Sequence, residues 1–232
     1  MTGPPKSHFP ANGNLWNWKL DVNDIAARSQ IWQLLCVAFS SPDSVAWERS
    51  LADGVFSGIS PRGELLPHGL DSGDYKFEPD MAFESLSQAY STCFEAGNAP
   101  VSFHERTYTN DAASKLFEEL FRYYEHFGLD LKDNDNANWP DSILVEMEFM
   151  YYLSHLESIA GDEGDILSLR RGQRDFLKRH LAPLVSGILE KLSRMEISPY
   201  DQLARLTNDH VAREIGYLDA KTDGIIASAS VG

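Results

Sequence analysis

The sequence has 232 residues, of which 43% are hydrophobic and 11% are aromatic. This is enough for one well-formed core, and no linker indicates a second domain. The formal net charge of −15 disfavours nucleic acid and anionic membrane surfaces as partners and favours a basic peptide or protein segment. The two cysteines, Cys36 and Cys93, lie in apolar runs and provide no disulfide framework, which is typical of buried thiols in a reducing compartment. We find no secretory signal and no apolar run of about 18 residues, so we expect a cytoplasmic protein without stable membrane insertion.

The N-terminal part combines a loose arm, helices and a long loop. Residues 1–20 contain three prolines and two glycines, so we expect a flexible arm. Apolar residues then recur at helical spacing up to Phe39, and Pro42 ends this helix because the residue before a proline disfavours the α conformation. A shorter helix is predicted over 43–52. The glycine- and proline-rich residues 54–79 form a long loop of a kind that often carries function.

Two further helices are predicted in the middle part of the chain. Apolar residues at helical spacing predict one helix over 83–94. The clearest helix covers 111–127, with Asn110 or Asp111 as its N-cap. Gly128 follows it directly and predicts a Schellman ending, because glycine adopts the left-handed conformation that this motif requires.

Residues 138–159, NWPDSILVEMEFMYYLSHLESI, predict a central helix that is apolar almost all the way round. Pro140 suits a first helical turn, and Asp141 beside it would face the positive end of the helix dipole. Glu146 and Glu148 lie about 200° apart on such a helix, so both cannot share one exposed strip. At least one of them should therefore lie near a groove or pair with a buried cation.

The last third of the chain is also helical by its spacing. A helix is predicted over 165–195, with a kink or restart at Pro183, and another over about 199–216. Residues 217–232 are expected to form a weak tail. No segment shows sustained strand alternation. The predicted fold is an all-α, single-domain bundle of about seven to nine helices covering residues 21–216.

Patterns that would indicate an enzyme are missing from the sequence. It contains no Glu-x-x-His or His-x-x-x-His pair, no phosphate-binding loop and no Gly-x-Ser-x-Gly elbow. His126 with Asp130 and His210 with Glu214 are four residues apart, and for both pairs we favour surface or capping contacts over metal ligation. No catalytic residue, metal or cofactor is therefore predicted. The rival hypothesis is an enzyme with a metal or nucleotide at the 54–79 loop.

Four stretches are similar, in order and spacing, to motifs of one protein family. They are RSQIWQLLCVAFSSPD, YSTCFEAGNAPVSFHERTY, the Pro-Asp-Ser start of the central helix, and RRGQRDFLKRHLAPLVSGILEKL followed by SPYDQLARL. The chain thereby resembles the TorD/DmsD/NarJ family of cytoplasmic chaperones for molybdenum oxidoreductases over roughly residues 25–210. Ser142, Cys93 and Leu184 depart from the usual His, Leu and Trp of the family motifs. The fourth stretch is most similar to chaperones of ethylbenzene or dimethyl sulfide dehydrogenases and of selenate or chlorate reductases.

The resemblance implies a chaperone without catalysis. Such a protein binds the twin-arginine signal peptide and the apo catalytic subunit of a molybdenum oxidoreductase, assists cofactor insertion and proofreads the subunit before export. An acidic helical receptor suits a peptide that joins arginines to an apolar segment. Asp141 and Glu146 are then candidates to meet the arginines, and Tyr90, Phe94 and Phe103 to line an apolar groove, although Tyr90 and Phe94 also fit a purely core position.

Four more residues complete the predicted peptide-binding set: His104, Glu105, Tyr108 and Ser142. For Glu105 and Tyr108, pinning of their own loop is an equal alternative. His180 is expected to cap or pack near the Pro183 kink. The oligomeric expectation is a monomer, with a dimer as the alternative, and a structural subunit of an oxidoreductase complex is the remaining functional alternative.

Overall fold

The computed structural model describes residues 24–42, 63–70, 83–95, 99–129 and 139–229, with side chains from 27 to 223 in the first and last helices. These residues form α1 (Asp24–Phe39), α2 (Phe83–Tyr90), α3 (Ala113–His126), α4 (Ile143–Ile159), α5 (Glu163–Phe176), α6 (Ala182–Ser193) and α7 (Tyr200–Ala229). A π turn, Leu177–Leu181, joins α5 and α6 into one continuous helix. Counted so, the described ranges hold six helices and no strand, which confirms the all-α prediction with slightly fewer helices than expected.

Some predicted segments lie outside the described residues, namely the arm 1–20 and the helix 43–52. Of the 54–79 loop, residues 63–70 are described and form tight turns, in which the Leu70 amide donates to the Gly63 carbonyl at 3.0 Å. Leu70 is buried, so this part of the loop packs onto the helices. None of the described helices has both the length and the apolar character needed to cross a membrane.

The central helix is α4, as its all-round apolar sequence predicts. Its side chains Ile143, Met147, Met150 and Leu153 are fully buried. α1 packs along one side of it and α5 along another. Full burial of an apolar side chain of this size stabilises a protein by roughly 1.5–3 kcal/mol, so α4 is the main organiser of the core.

The predicted disturbance at Pro183 is present. The π turn Leu177–Leu181 comes just before α6, and Pro183 lies in the first turn of that helix. Proline has no amide hydrogen, and its ring crowds the carbonyl four residues earlier. A wider turn before the proline removes that crowding without ending the helix.

The ends of two helices test the capping predictions. α3 ends in a Schellman motif at Gly128, which has φ of 85° and donates to Glu125 at 3.0 Å. The predicted start of α3 was wrong: its N-cap is Ala112, and Asp111 instead pairs with Lys115 at 3.0 Å. α7 does not end near Gly216 but continues to Ala229, because buried residues beyond the glycine keep it packed against the core.

One buried arginine ties four helices together. Arg28 of α1 is fully buried, and its Nε donates to Glu214 of α7 at 2.8 Å. Its Nη2 donates to Gln173 of α5 at 2.7 Å, and its Nη1 pairs with Glu157 of α4. Arg170 also donates to Glu157, at 2.6 Å. Two cations therefore balance two carboxylates in the interior, as buried charges require.

Histidines extend this network. His68 lies 2.7 Å from Glu214 through Nε2. Burial alone would raise the pKa of Glu214, but Arg28 and His68 outweigh it and hold the pKa below its usual range. His210 is fully buried against Trp32, with ring centroids 4.5 Å apart, and burial lowers its pKa to about 3. The sequence-based prediction of surface or capping contacts for His210 and Glu214 was therefore wrong, because α7 turns this face inward.

Replacing Arg28 with Met leaves two carboxylates in the interior without their main cation. We expect the free energy of unfolding in urea to fall by about 3–5 kcal/mol. Arg122→Met is the matched control, since Arg122 pairs with Glu118 on an exposed helix surface; its effect should stay within about 0.5 kcal/mol. Equal effects of the two substitutions would contradict this account of the network.

Candidate functional site

Residues 99–108 form a loop that docks onto the start of α4. The Glu105 amide donates to the Asp141 carbonyl at 2.9 Å, and the Ile143 amide donates to the Phe103 carbonyl at 2.8 Å. The first amides of a helix have no acceptor within the helix. Here the loop supplies the missing acceptor, the Phe103 carbonyl. The side chain of the N-cap residue Ser142 makes no capping hydrogen bond. The loop therefore replaces a conventional cap.

The Asp141 side chain, just before α4, binds this loop and holds it in place. It is fully buried; its Oδ1 lies 3.2 Å from His104 Nδ1, and its Oδ2 accepts from the Arg106 amide at 3.2 Å. The Arg106 Nε lies 3.3 Å from the same Oδ2. Burial would raise the pKa of Asp141, but His104 and Arg106 outweigh it and lower the pKa. Its pairing with an arginine of a bound peptide stays a prediction, and such an arginine would have to compete with Arg106.

Arg106 and Trp139 belong to this site but were not predicted. The Arg106 guanidinium lies 4.6 Å from the Trp139 ring centroid and 5.3 Å from that of Phe117, which is cation–π geometry. Trp139 is 52% exposed although it is large and apolar. Both residues lie in or next to stretches that carry the family resemblance. That position was the signal in the sequence that could have identified them as site residues.

A buried acid cluster lies behind the loop. Glu105 is buried, and both of its carboxyl oxygens lie 3.2 Å from Nδ1 of His180 in the π turn. Glu146 is fully buried, and its carboxyl lies beside that of Glu105. Burial, followed by the charges of Glu105 and Asp141, raises the pKa of Glu146 well above its usual range.

The raised pKa extends the pH range over which Glu146 keeps its proton. The sequence predicted that at least one of Glu146 and Glu148 lies near a groove or pairs with a buried cation. Among the residues whose positions are known Glu146 pairs with no cation, and a position near a groove stays a prediction. No cation is needed because protonation removes the charge that a buried partner would otherwise have to balance. Glu148 is half-buried, and burial raises its pKa to about 7.

The predicted groove aromatics come together in one aromatic cluster, which also includes Phe39 and Tyr200. The ring centroids of Phe94 and Phe103 are 4.3 Å apart, and those of Tyr90 and Phe94 are 5.1 Å apart. Tyr90 is buried, as the core alternative requires, whereas Phe94 and Phe103 are half-buried. The cluster therefore combines a core side with a partly open side next to the loop.

Tyr108 pins the far end of the loop. Its hydroxyl donates to the Ser102 carbonyl at 2.8 Å and accepts from the Ser102 amide at 3.2 Å. Its ring packs against α6 at Gly187, where any Cβ atom would overlap the ring. These contacts support the loop-pinning alternative for Tyr108.

Comparison with known proteins identifies a family model and several similar proteins whose roles have been assigned. The family model described as nitrate reductase delta subunit matches residues 74–189. The chain is similar to the dimethyl sulfide dehydrogenase assembly chaperone protein of Rhodovulum sulfidophilum, with 32% identity over 79% of this chain and 76% of that one. It is also similar to the selenate reductase assembly chaperone protein of Thauera selenatis, with 32% identity over 75% and 83%. For the chlorate reductase assembly chaperone protein of Ideonella dechloratans the identity is 28% over 75% and 83%.

Glu146→Gln should change how stability depends on pH. The folded state keeps the Glu146 proton above the pH, about 4.3, at which an unfolded glutamate releases it. In that window the stability of the natural protein falls with rising pH, by up to about 1.4 kcal/mol per pH unit from this group. The amide cannot ionise, so we expect the variant to gain on the natural protein as pH rises.

Urea unfolding at several values between pH 5.5 and 8 measures this gain. Glu190→Gln serves as control, because Glu190 lies exposed in a pair with Arg194. A difference between Glu146→Gln and the natural protein that does not vary with pH would show that Glu146 is not held protonated.

Proposed function

Since the chain belongs to the nitrate reductase delta subunit family, which is of the NarJ/TorD type, we propose that it is an assembly chaperone for the catalytic subunit of a molybdenum oxidoreductase. The observation that carries this proposal is that the similar proteins are described by the same role. All three are assembly chaperone proteins, and each alignment covers three quarters or more of this chain. Their names refer to different dehydrogenases and reductases, so the role is common to them while the client differs.

In this proposal the protein acts in the cytoplasm and has no catalytic activity of its own. It binds the apo catalytic subunit through the twin-arginine signal peptide, holds the subunit while its molybdenum cofactor is inserted, and proofreads it before export. The net charge of −15 favours a basic client segment. Association should therefore weaken as salt screens that attraction.

The proposed client surface consists of the loop 99–108 and the open side of the aromatic cluster. Phe94 and Phe103 are half-buried and touch each other, so together they offer a fixed apolar contact beside the loop. Asp141 and Tyr108 hold the loop in place. Rigid aromatic anchors of this kind dominate the binding energy of many interfaces.

A structural subunit of the mature enzyme is the second candidate, because the family is described as a delta subunit. The two functions differ in when the protein leaves its partner. A chaperone copurifies with the apo subunit and is absent from the mature enzyme, whereas a structural subunit is present in stoichiometric amount. Mass spectrometry of both preparations from the native host separates them and identifies the client.

Phe94→Ala should lower the affinity for the client's signal peptide by about tenfold, because it removes half of the apolar contact. Phe127→Ala is the matched control, since Phe127 is also half-buried but packs against Gly172 on α5. Calorimetry at low and moderate ionic strength measures both effects, and the affinity of each protein should decrease with salt. If Phe127→Ala lowers the affinity as much as Phe94→Ala, the client does not bind at the aromatic cluster.

A further inference from the structure

The guanidinium of Arg106 is held in one place at the surface of the loop 99–108. Its Nε lies 3.3 Å from Oδ2 of the buried Asp141, and the same oxygen accepts from the Arg106 backbone amide at 3.2 Å. The guanidinium also lies 4.6 Å from the ring centroid of Trp139 and 5.3 Å from that of Phe117. These contacts come from two other segments of the chain, so the guanidinium is positioned before any partner binds.

The two terminal nitrogens of this guanidinium are still available. Within the part of the chain that the structure describes, Arg106 uses its Nε for Asp141, and neither Nη1 nor Nη2 has an acceptor. The side chain is 28% exposed, so a partner can reach it from the solvent. A guanidinium carries N–H donors on all three nitrogens and has no acceptor. The donors of both terminal nitrogens therefore remain for a ligand.

Trp139 adds an apolar surface at the same place. It is 52% exposed and lies against the half-buried Phe117, with ring centroids 5.8 Å apart and ring planes inclined by 30°. Tryptophan and arginine are the residues that most often carry the binding energy of an interface. The two side chains here support each other through the cation–π contact. A charged group and an exposed ring thus face the solvent together.

We propose that Arg106, Trp139 and Phe117 bind a side-chain carboxylate of the client, in a segment where an apolar residue adjoins the acidic one. The carboxylate accepts from both terminal nitrogens of Arg106, and the apolar residue covers the exposed indole of Trp139. The inference rests on the proposed chaperone function. It adds a client residue whose charge is opposite to that of the basic segment favoured by the net charge of the protein.

The charge arrangement at Asp141 determines the sign of this ligand. Both oxygens of Asp141 are engaged, one beside His104 and one beside Arg106, and the side chain is fully buried. The group that reaches the surface is therefore the guanidinium and not the carboxylate. A planar guanidinium matches a carboxylate with two parallel hydrogen bonds, which an ammonium group cannot do.

A carboxylate within a larger segment suits this place better than a free anion. A small anion would leave the Trp139 ring uncovered, and the net charge of −15 repels it. A client segment that is also held elsewhere on the protein presents its carboxylate to Arg106 at high effective concentration. The ligand is therefore an acidic residue of a polypeptide, with an apolar neighbour.

The test uses two synthetic peptides with blocked ends that differ at one position. One has an aspartate beside a leucine, and the other has an asparagine beside the same leucine. Calorimetry with the full chain should show tighter binding of the aspartate peptide, and sodium acetate should bind more weakly than that peptide. In proton–nitrogen NMR spectra the aspartate peptide should shift the indole resonance of Trp139, which Trp139→Ala identifies by its loss.

Arg106→Lys keeps the positive charge beside Asp141 but loses the planar fork. It should lower the affinity for the aspartate peptide by about tenfold, as expected for loss of a charge-assisted hydrogen bond, and it should remove the preference over asparagine. Trp139→Ala should lower the affinity by a smaller factor. Arg122→Lys is the matched control, because Arg122 is an exposed arginine paired with Glu118, and it should bind as the natural protein does.

Hydrogen exchange separates a lost ligand contact from a displaced loop. The amides of Glu105 and Ile143 donate to backbone carbonyls, so their protection should stay unchanged in Arg106→Lys and Trp139→Ala. Natural affinity of Arg106→Lys for the aspartate peptide would overturn the inference, as would equal binding of the two peptides by the natural protein. If Arg106→Lys loosens the loop, Trp139→Ala decides, since its exposed ring can be removed without unfolding, and unchanged affinity would overturn the inference.

These outcomes are distinct from failure of the proposed function. In each of them the natural protein would still copurify with an apo reductase or dehydrogenase subunit, and Phe94→Ala would still weaken signal-peptide binding. Absence of any such subunit from the copurified material would instead contradict the chaperone function itself.

Discussion

The candidate site depends on the pairing of one loop with the free amides at the start of the central helix. Because the first amides of α4 have no acceptor within the helix, the loop 99–108 and residues 141–143 satisfy each other's backbone groups. Asp141 fixes this arrangement with bonds to His104 and Arg106. The loop cannot shift without leaving both a buried carboxylate and a helix amide unpaired. Because Phe103 belongs to this loop, the same constraint also positions the aromatic cluster.

The two ends of α4 treat buried charge differently. Near its C-terminal end, Glu157 is paired with Arg28 and Arg170, and these bonds join α1, α4 and α5. Near its N-terminal end, Glu146 has no cation partner within the described chain, and burial raises its pKa well above the usual range. The two ends of α4 thus differ in how a buried glutamate is accommodated: Glu157 is paired with arginines, whereas the pKa of Glu146 is raised by burial and by neighbouring carboxylates.

Local chemistry explains which features the sequence could predict. The Schellman ending at Gly128 and the disturbance before Pro183 follow from the conformations of single residues, and both are present. Gly216 was misleading because burial of later residues overrides its weak helix propensity. Arg28 could not be recognised as buried, since its partners lie 129 to 186 residues away in the chain.

Hydrogen exchange in Asp141→Asn tests most directly whether this carboxylate holds the loop against α4. The amides of Glu105 and Ile143 donate across that contact, and loss of the charged hydrogen bonds should speed their exchange by about tenfold or more. The Met150 amide, in the middle of α4, should keep its protection. Asp111→Asn, which alters only an exposed pair, should change none of the three. Unchanged protection of Glu105 and Ile143 in folded Asp141→Asn would contradict the account.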